Sequence, residues 1–298
     1  MCRIHTAPLP IILASVGVFQ IVCLWLATRV STRAAPFSFS FWSDHNTEPL
    51  SISLCIPAIP RDVESGCLDK LMQSIKRQTF KVSEVVISFS NSTYAEARRV
   101  KMLAQATVST IPVKILRFSE VSVQGKSRNN AALVSASELV SFMDADDEMH
   151  PHRMEAIQEA FRTHRDLQVL LHGYVESEDL NWKYTPMLKP SSAYAMVGKH
   201  EICSSEARSR HQPHLDLLVH HAHITVKLTV FDEFSYDEAL ESYRVEDSLF
   251  VREVVAAACS RPAVNDLLFL KAPLSLYRNK SASCLESKEH IFGKFKLA

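Results

Sequence analysis

Asp144, Asp146 and Asp147 stand together immediately after the apolar run Leu139–Met143 (LVSFM). Three carboxylates in so short a stretch repel one another unless water or a cation offsets their charge. On an extended chain Asp144 and Asp146 point the same way. Such a pair can hold a hard divalent ion, magnesium or manganese, through oxygen ligands. The plain alternative is an acidic turn in front of the helix that begins near Pro151. Histidines crowd a later stretch, at His211, His214, His220, His221 and His223. They are either surface and strand residues or a source of one metal ligand or binding-site wall. His223 is the first choice for such a ligand, because it adjoins the apolar run Ile224–Val230.

These residues need a scaffold, and the hydrophobic pattern supplies one. Ser51–Ile56 (SISLCI) is a short apolar run ending at Pro57, which fits a buried strand. Leu68, Leu71, Met72 and Ile75 recur at i, i+3, i+4 and i+7, one face of a helix. Glu84–Phe89 is a second strand, followed by polar Ser90-Asn91-Ser92-Thr93 and a helix to about Gln105. Val113–Phe118 is a third strand, Ser127–Ala136 a helix and Leu139–Met143 a fourth strand. Met154, Ile157 and Phe161 mark another helix, and Gln168–His172 a further strand. Strands alternating with helices predict an α/β protein with a mostly parallel central sheet covered on both faces. Ligands bind beyond the carboxyl ends of such strands. That rule points to Pro57-Ala58, to Ser90-Asn91 and above all to Asp144 onward.

Composition narrows the class. Lysine plus arginine number 33 and aspartate plus glutamate 33, with no long basic run, so nucleic acid is not the expected partner. Leu9–Ala27 reads LPIILASVGVFQIVCLWLA, without a charge. A bilayer-spanning helix needs about 20 such residues. Residues 9–28 are therefore expected to be a transmembrane signal-anchor after a tail of residues 1–8. Residues 29–49 form a stem, and 50–298 the folded domain. A cleaved signal peptide is the alternative, since a small-residue site follows at Ala34-Ala35. Arg3 before the span and Arg29 and Arg33 after it do not decide its orientation. Seven cysteines include no CxxC pair. Two of Cys67, Cys203, Cys259 and Cys284 can pair in an oxidising compartment.

The stretch GKSRNNAALVSASELVSFMDADDEMHPHRM, Gly125 to Met154, resembles the central segment of family-2 glycosyltransferases with the GT-A fold. An arginine-asparagine pair, small residues, an apolar strand, Asp-x-Asp-Asp and a proline-led helix follow one another in the family's order. The resemblance is good from about Ser51 to Phe161 and thinner afterwards. It implies a GT-A (Rossmann-like) domain with a nucleotide-sugar-binding half at 50–165 and an acceptor-binding half at 166–298. It also implies a nucleotide-sugar donor, first of all a UDP-sugar, and Mn2+ or Mg2+. Asp144 and Asp146 would then meet the nucleotide ribose and the metal, with Asp146 the preferred ligand. Pro57, Ala58 and Ser90 would line the donor site. Arg128 would approach the nucleotide or donor sugar, unless it is an ion-pair partner of the aspartates.

Phe231-Asp232-Glu233 followed by Glu246-Asp247 resembles the family's segment that holds the catalytic base of inverting members. An acceptor hydroxyl is a poor nucleophile until a carboxylate takes its proton. Asp247 is the expected base and Glu246 the alternate, while Asp247 also suits an N-cap of the helix Ser248–Ala258. Arg278, next to Leu276-Tyr277 in the closing strand, would reach the donor phosphates. The family's usual acid after the second strand is replaced by Ser90-Asn91-Ser92, which puts the nucleotide base in doubt. Asn91 begins a glycosylation sequon and is expected to be unmodified if it lines that pocket. The Gln-x-x-Arg-Trp signature of processive members is absent, favouring single addition to a glycan, protein or lipid acceptor. The type II topology implied places the domain in the lumen of the secretory pathway. The competing readings are a nucleotidyltransferase and a non-catalytic binding protein of the same fold. The first lacks a glycine-rich phosphate loop in Pro57–Glu64.

Overall fold

The computed structural model describes residues 49–176, 196–204, 223–239, 245–262 and 266–277, all within the unit Pro49–Ala298. The expected span 9–28 lies outside these residues. Among the described residues no helix is long and apolar enough to cross a membrane.

The chain opens with β1 (Ile52–Ala58), α1 (Pro60–Glu64) and α2 (Cys67–Lys76). Leu68, Leu71, Met72 and Ile75 are all buried, as their spacing predicts. Then come β2 (Glu84–Phe89), α3 (Tyr94–Thr107), β3 (Val113–Arg117), α4 (Gln124–Leu133) and β4 (Leu139–Phe142). Thr93 caps α3 reciprocally with Glu96: its Oγ1 accepts from the Glu96 N–H, and Glu96 accepts from the Thr93 N–H. The short β5 (Glu148–Met149), α5 (Arg153–Thr163) and β6 (Val169–Glu176) follow. The last described elements are β7 (Met196–Gly198), α6 (Lys199–Cys203), β8 (Ile224–Lys227), a 3-10 turn at Leu228–Asp232, α7 (Glu246–Ser260) and β9 (Leu267–Tyr277).

The strands join in one sheet ordered β3-β2-β1-β4-β8-β6-β9-β5, with β7 also on β9. Its first part is parallel, as expected: β2 and β4 flank β1, and β3 extends the edge. Beyond β4 the expectation of a mostly parallel sheet fails. Pairs β4–β8, β6–β8, β5–β9 and β7–β9 are antiparallel, and only β6–β9 is parallel there. A buried strand is apolar whichever way its neighbour runs, so the hydrophobic pattern does not encode direction. The result is a mixed α/β sheet of the GT-A kind.

Two cores sandwich it. Leu54, Ile56, Ile87, Leu139 and Met143 turn to the side of α2 and α5, while Cys55, Val86, Val140 and Phe142 turn to α4 and α7. A disulfide, Cys203–Cys259, ties α6 to α7. The buried Lys199 reinforces it, donating to Asp266 at 2.9 Å.

Candidate active site

The site begins where β1 and β4 part. Cys55 lies opposite Phe142, and the Met143 N–H donates to the Cys55 carbonyl. The next rung on that side of β1 is Pro57, which has no N–H to give. The ladder stops there, and the chain after Met143 is released into a turn. In that turn the Asp147 N–H donates to the Asp144 carbonyl at 3.2 Å. The backbone is therefore not extended, and the alternation that would align Asp144 with Asp146 does not apply. Asp144 and Asp147 are buried, while Asp146 is partly exposed. Pro57, Ala58 and Ser90 meet at the same carboxyl edge. Pro57 and Ala58 stand opposite Ser88 and Phe89, and the Ser90 N–H donates to the Ala58 carbonyl. Asn91, exposed, takes a left-handed φ of 52°, a conformation asparagine tolerates, and turns the chain toward α3.

Arg128 on α4 is fully buried. Its Nη2 donates to Asp144 Oδ1 at 2.8 Å and its Nη1 to Glu246 Oε1 at 3.3 Å. Burial alone would weaken the guanidinium as a base, but Asp144 outweighs that and holds its pKa above the ordinary value. The same guanidinium lies over the Tyr236 ring, 5.3 Å from its centroid. Tyr236 is itself stacked on Phe250 of α7 at 4.0 Å, and burial raises its phenol pKa. Asn129, the next residue, donates to Tyr236 O and Glu238 Oε1 and accepts from the Tyr236 N–H. Gly125 lets this side approach closely: a Cβ there would collide with Asp237 O and sit 3.1 Å from Glu246 Cγ. One turn of α4 thus docks the segment before α7 and reaches both acidic sites.

Glu246 and Asp247 lie in the first turn of α7, behind an N-cap at Val245. Asp247 is therefore two positions too deep to be the cap. Its Oδ1 accepts from the Ser248 N–H at 2.6 Å. The helix dipole favours ionised carboxylates at this end.

On the opposite face of β4, Arg153 of α5 is also fully buried. It donates to Phe142 O, Ser141 Oγ, Met143 Sδ and His172 Nε2. Burial pulls its pKa down to about 9, which the charge of Asp147 only partly opposes. Burial, then Arg153, keeps His172 well below its ordinary pKa, so it is neutral. Because its Nε2 accepts from Arg153, its Nδ1 carries the proton that faces Gly173 O at 2.9 Å. His223 is buried beside this group, stacked on Tyr174 at 4.7 Å and edge-on to His172 at 5.2 Å.

The expected ligand trio of Asp144, Asp146 and His223 is not assembled. No group of three His, Cys, Asp or Glu side chains fit to hold a metal occurs among the described residues. His223 instead lies against Tyr174 and His172. Arg278 and the other four histidines of the later cluster lie outside the described residues.

Two residues of the site escaped sequence reasoning. Asp62 on α1 is buried, and its carboxyl is pushed up to about 6, first by burial and further by Asp146 and Asp144. Its Oδ2 accepts from the Ile59 N–H at 2.9 Å. Tyr277 at the end of β9 has a raised pKa from burial and then from Asp147, Asp146 and Asp144, so its phenol faces the aspartate turn. Asp62 falls just after β1 at the carboxyl edge, where the strand-end rule directs the search. Tyr277 has no comparable local signal.

The geometry gathers acids from the turn after β4, from α1 and from α7 at the carboxyl edge of the sheet. Among solved structures, S. aureus TarS 1–349 in complex with UDP matches with TM-score 0.55 and 16% identity over 77% of this chain and 61% of that one, a likeness of fold. The same protein in complex with UDP-GlcNAc matches with TM-score 0.55 and 17% identity over 80% of this chain and 61% of that one. The chain thus spans about three fifths of the length of these proteins. No curated protein matches the sequence. The profile of glycosyl transferase family 2 matches residues 53–225, more than half of the chain and the whole stretch from β1 through the aspartate turn into β8. This chain belongs to glycosyl transferase family 2.

Proposed function

We propose that the protein transfers a single sugar from a UDP-sugar to an acceptor hydroxyl with inversion, using Asp247 as the base. The observation that carries this reading is the bridge from Asp144 through Arg128 to Glu246, which sets the α7 acids beside the aspartate turn. In this reading Pro57, Ala58, Ser90 and Asp62 form the floor for the nucleoside, and Asp62 accepts from a ribose hydroxyl. Asp144, Asp146 and Asp147 face the diphosphate. Around that turn, Asp62, Glu246 and Asp247 bring the acids to six, against the two buried arginines Arg128 and Arg153 among the described residues. That excess of hard oxygen ligands fits a divalent ion held by one or two carboxylates with the substrate's phosphates, without a protein cage. Asp146, partly exposed, is the first ligand and Asp144 the second, for Mn2+ or Mg2+. When bound, the ion would neutralise charge on the departing diphosphate.

The acceptor oxygen attacks the anomeric carbon on the face opposite the diphosphate. The bond from that carbon to the diphosphate oxygen breaks, and its electron pair leaves with the nucleoside diphosphate. Asp247 takes the acceptor's proton as the new bond forms. The expected anchor at residues 9–28 and the Cys203–Cys259 disulfide support a domain on the luminal side of a membrane. The acceptor, a glycan, protein or lipid, is presented there. UDP release with Mn2+ and a donor and acceptor panel tests the base: Asp247→Asn is expected to lower kcat about 10²- to 10⁴-fold with donor KM little changed. Unchanged kcat would remove Asp247 from that role.

A further inference from the structure

Glu246 and Asp247 are adjacent carboxylates on one helix turn, yet they sit in different surroundings. Glu246 is buried against Gly125, and its Oε1 is held by the fully buried Arg128. Adjacent residues project about 100° apart around a helix axis. Fixing the direction of Glu246 therefore fixes the direction of Asp247. Arg128 presents no exposed surface to a ligand, so its charge acts through the carboxylates it holds. Its two terminal nitrogens hold carboxylates 16 and 118 positions away in sequence, one after β4 and one on α7. Nothing but a planar fork makes both contacts from one side chain, since an ammonium group is a point charge on a flexible stem.

We infer that Arg128 is a positioning residue that orients α7 against the donor aspartates through Glu246, which is its handle and not a base. This rests on the transfer reading above. Arg128 brings the acceptor-activating acid into register with Asp144 and touches neither substrate. Asn129 completes the dock by binding Tyr236 and Glu238, and Tyr236 passes the constraint to Phe250 on α7.

The test uses the full chain, UDP-sugar turnover with Mn2+, the pH dependence of kcat, and UDP binding by calorimetry. Glu246→Gln keeps the shape and an accepting oxygen. It is expected to lower kcat about tenfold or less while retaining the acid limb of the pH profile, which belongs to Asp247. Arg128→Lys is expected to lower kcat about 10- to 100-fold with UDP affinity within about threefold of the parent. Loss of the acid limb in Glu246→Gln would make Glu246 the base and overturn the inference. A fall in UDP affinity in Arg128→Lys that matches its fall in kcat would overturn it too, placing Arg128 on the donor. Should Arg128→Lys fold poorly, the acid limb of Glu246→Gln decides alone. Wild-type chain without turnover on any donor would overturn the transfer reading itself. Turnover by wild type with either contrary variant result overturns only the positioning role.

Discussion

Arg128 and Arg153 are equally buried and lie on opposite faces of β4, yet their environments treat the charge in opposite ways. Arg128 has two carboxylates within hydrogen-bond reach, and its pKa rises. Arg153 binds a carbonyl, a hydroxyl, a thioether and a neutral imidazole, and its pKa falls to about 9. Burial is the same for both, so partners decide the outcome. The difference separates two tasks. Arg128 joins acids from different parts of the chain, while Arg153 braces the end of the strand from which the aspartate turn departs.

The largest predicted effect breaks the comparison at Arg128. Arg128→Met leaves Asp144 and Glu246 buried without their cation and is expected to cost about 3–5 kcal/mol in urea unfolding. Arg153→Met is expected to cost less, about 1–3 kcal/mol, because it removes hydrogen bonds and an unfavourably buried charge together. Equal losses would show that partners do not distinguish the two sites. The sign of the pH dependence sharpens the contrast. The folded pKa of Arg153 is depressed, so the unfolded chain holds the extra proton and stability through this group rises as pH climbs past about 9.

Asp62 gives a smaller effect of opposite sign. Its folded pKa of about 6 lies above the ordinary 3.8, so the folded chain holds the extra proton between them. Stability through Asp62 is therefore lost as pH rises through that window. In chelator-treated protein, Asp62→Asn is expected to flatten this slope and to stabilise by on the order of 1–2 kcal/mol above pH 6. A slope unchanged by the substitution would remove Asp62 from the neighbourhood of the aspartates. The smallest effect is at His172, whose pKa burial and Arg153 depress. Its ring is expected to show no titration by NMR between about pH 5 and 8, whereas an ordinary histidine titrates near 6.5.

Much of the first half was legible because local pattern and tertiary role agree there. EVVISF at Glu84–Phe89 became β2 without a shift of boundary. The helix expected at Ser127–Ala136 instead runs Gln124–Leu133, because Gly125 is seated against Asp237 and Glu246, contacts no local pattern contains. The run Ile224–Val230 stays a strand only to Lys227 and then becomes a 3-10 turn. Periodicity does not distinguish those states in so short an apolar segment. β9 runs unbroken through Lys271-Ala272-Pro273, although proline is rare inside a strand. Pro273 sits where the register with β6 shifts beside Gly173, a place where a strand accommodates proline. In the site, the acids were visible from type and position, but the Arg128 bridge and Asp62's coupling depend on chain segments far apart in sequence.

The most direct measurement is UDP release from a panel of UDP-sugars with Mn2+, comparing wild type with Asp146→Ala. Asp146 is the partly exposed acid of the turn and the proposed first metal ligand. Wild-type turnover on one donor and at least about a hundredfold loss in the variant are expected, from the lost stabilisation of the departing diphosphate. Equal turnover by both proteins would contradict the assignment of the aspartate turn as the donor site.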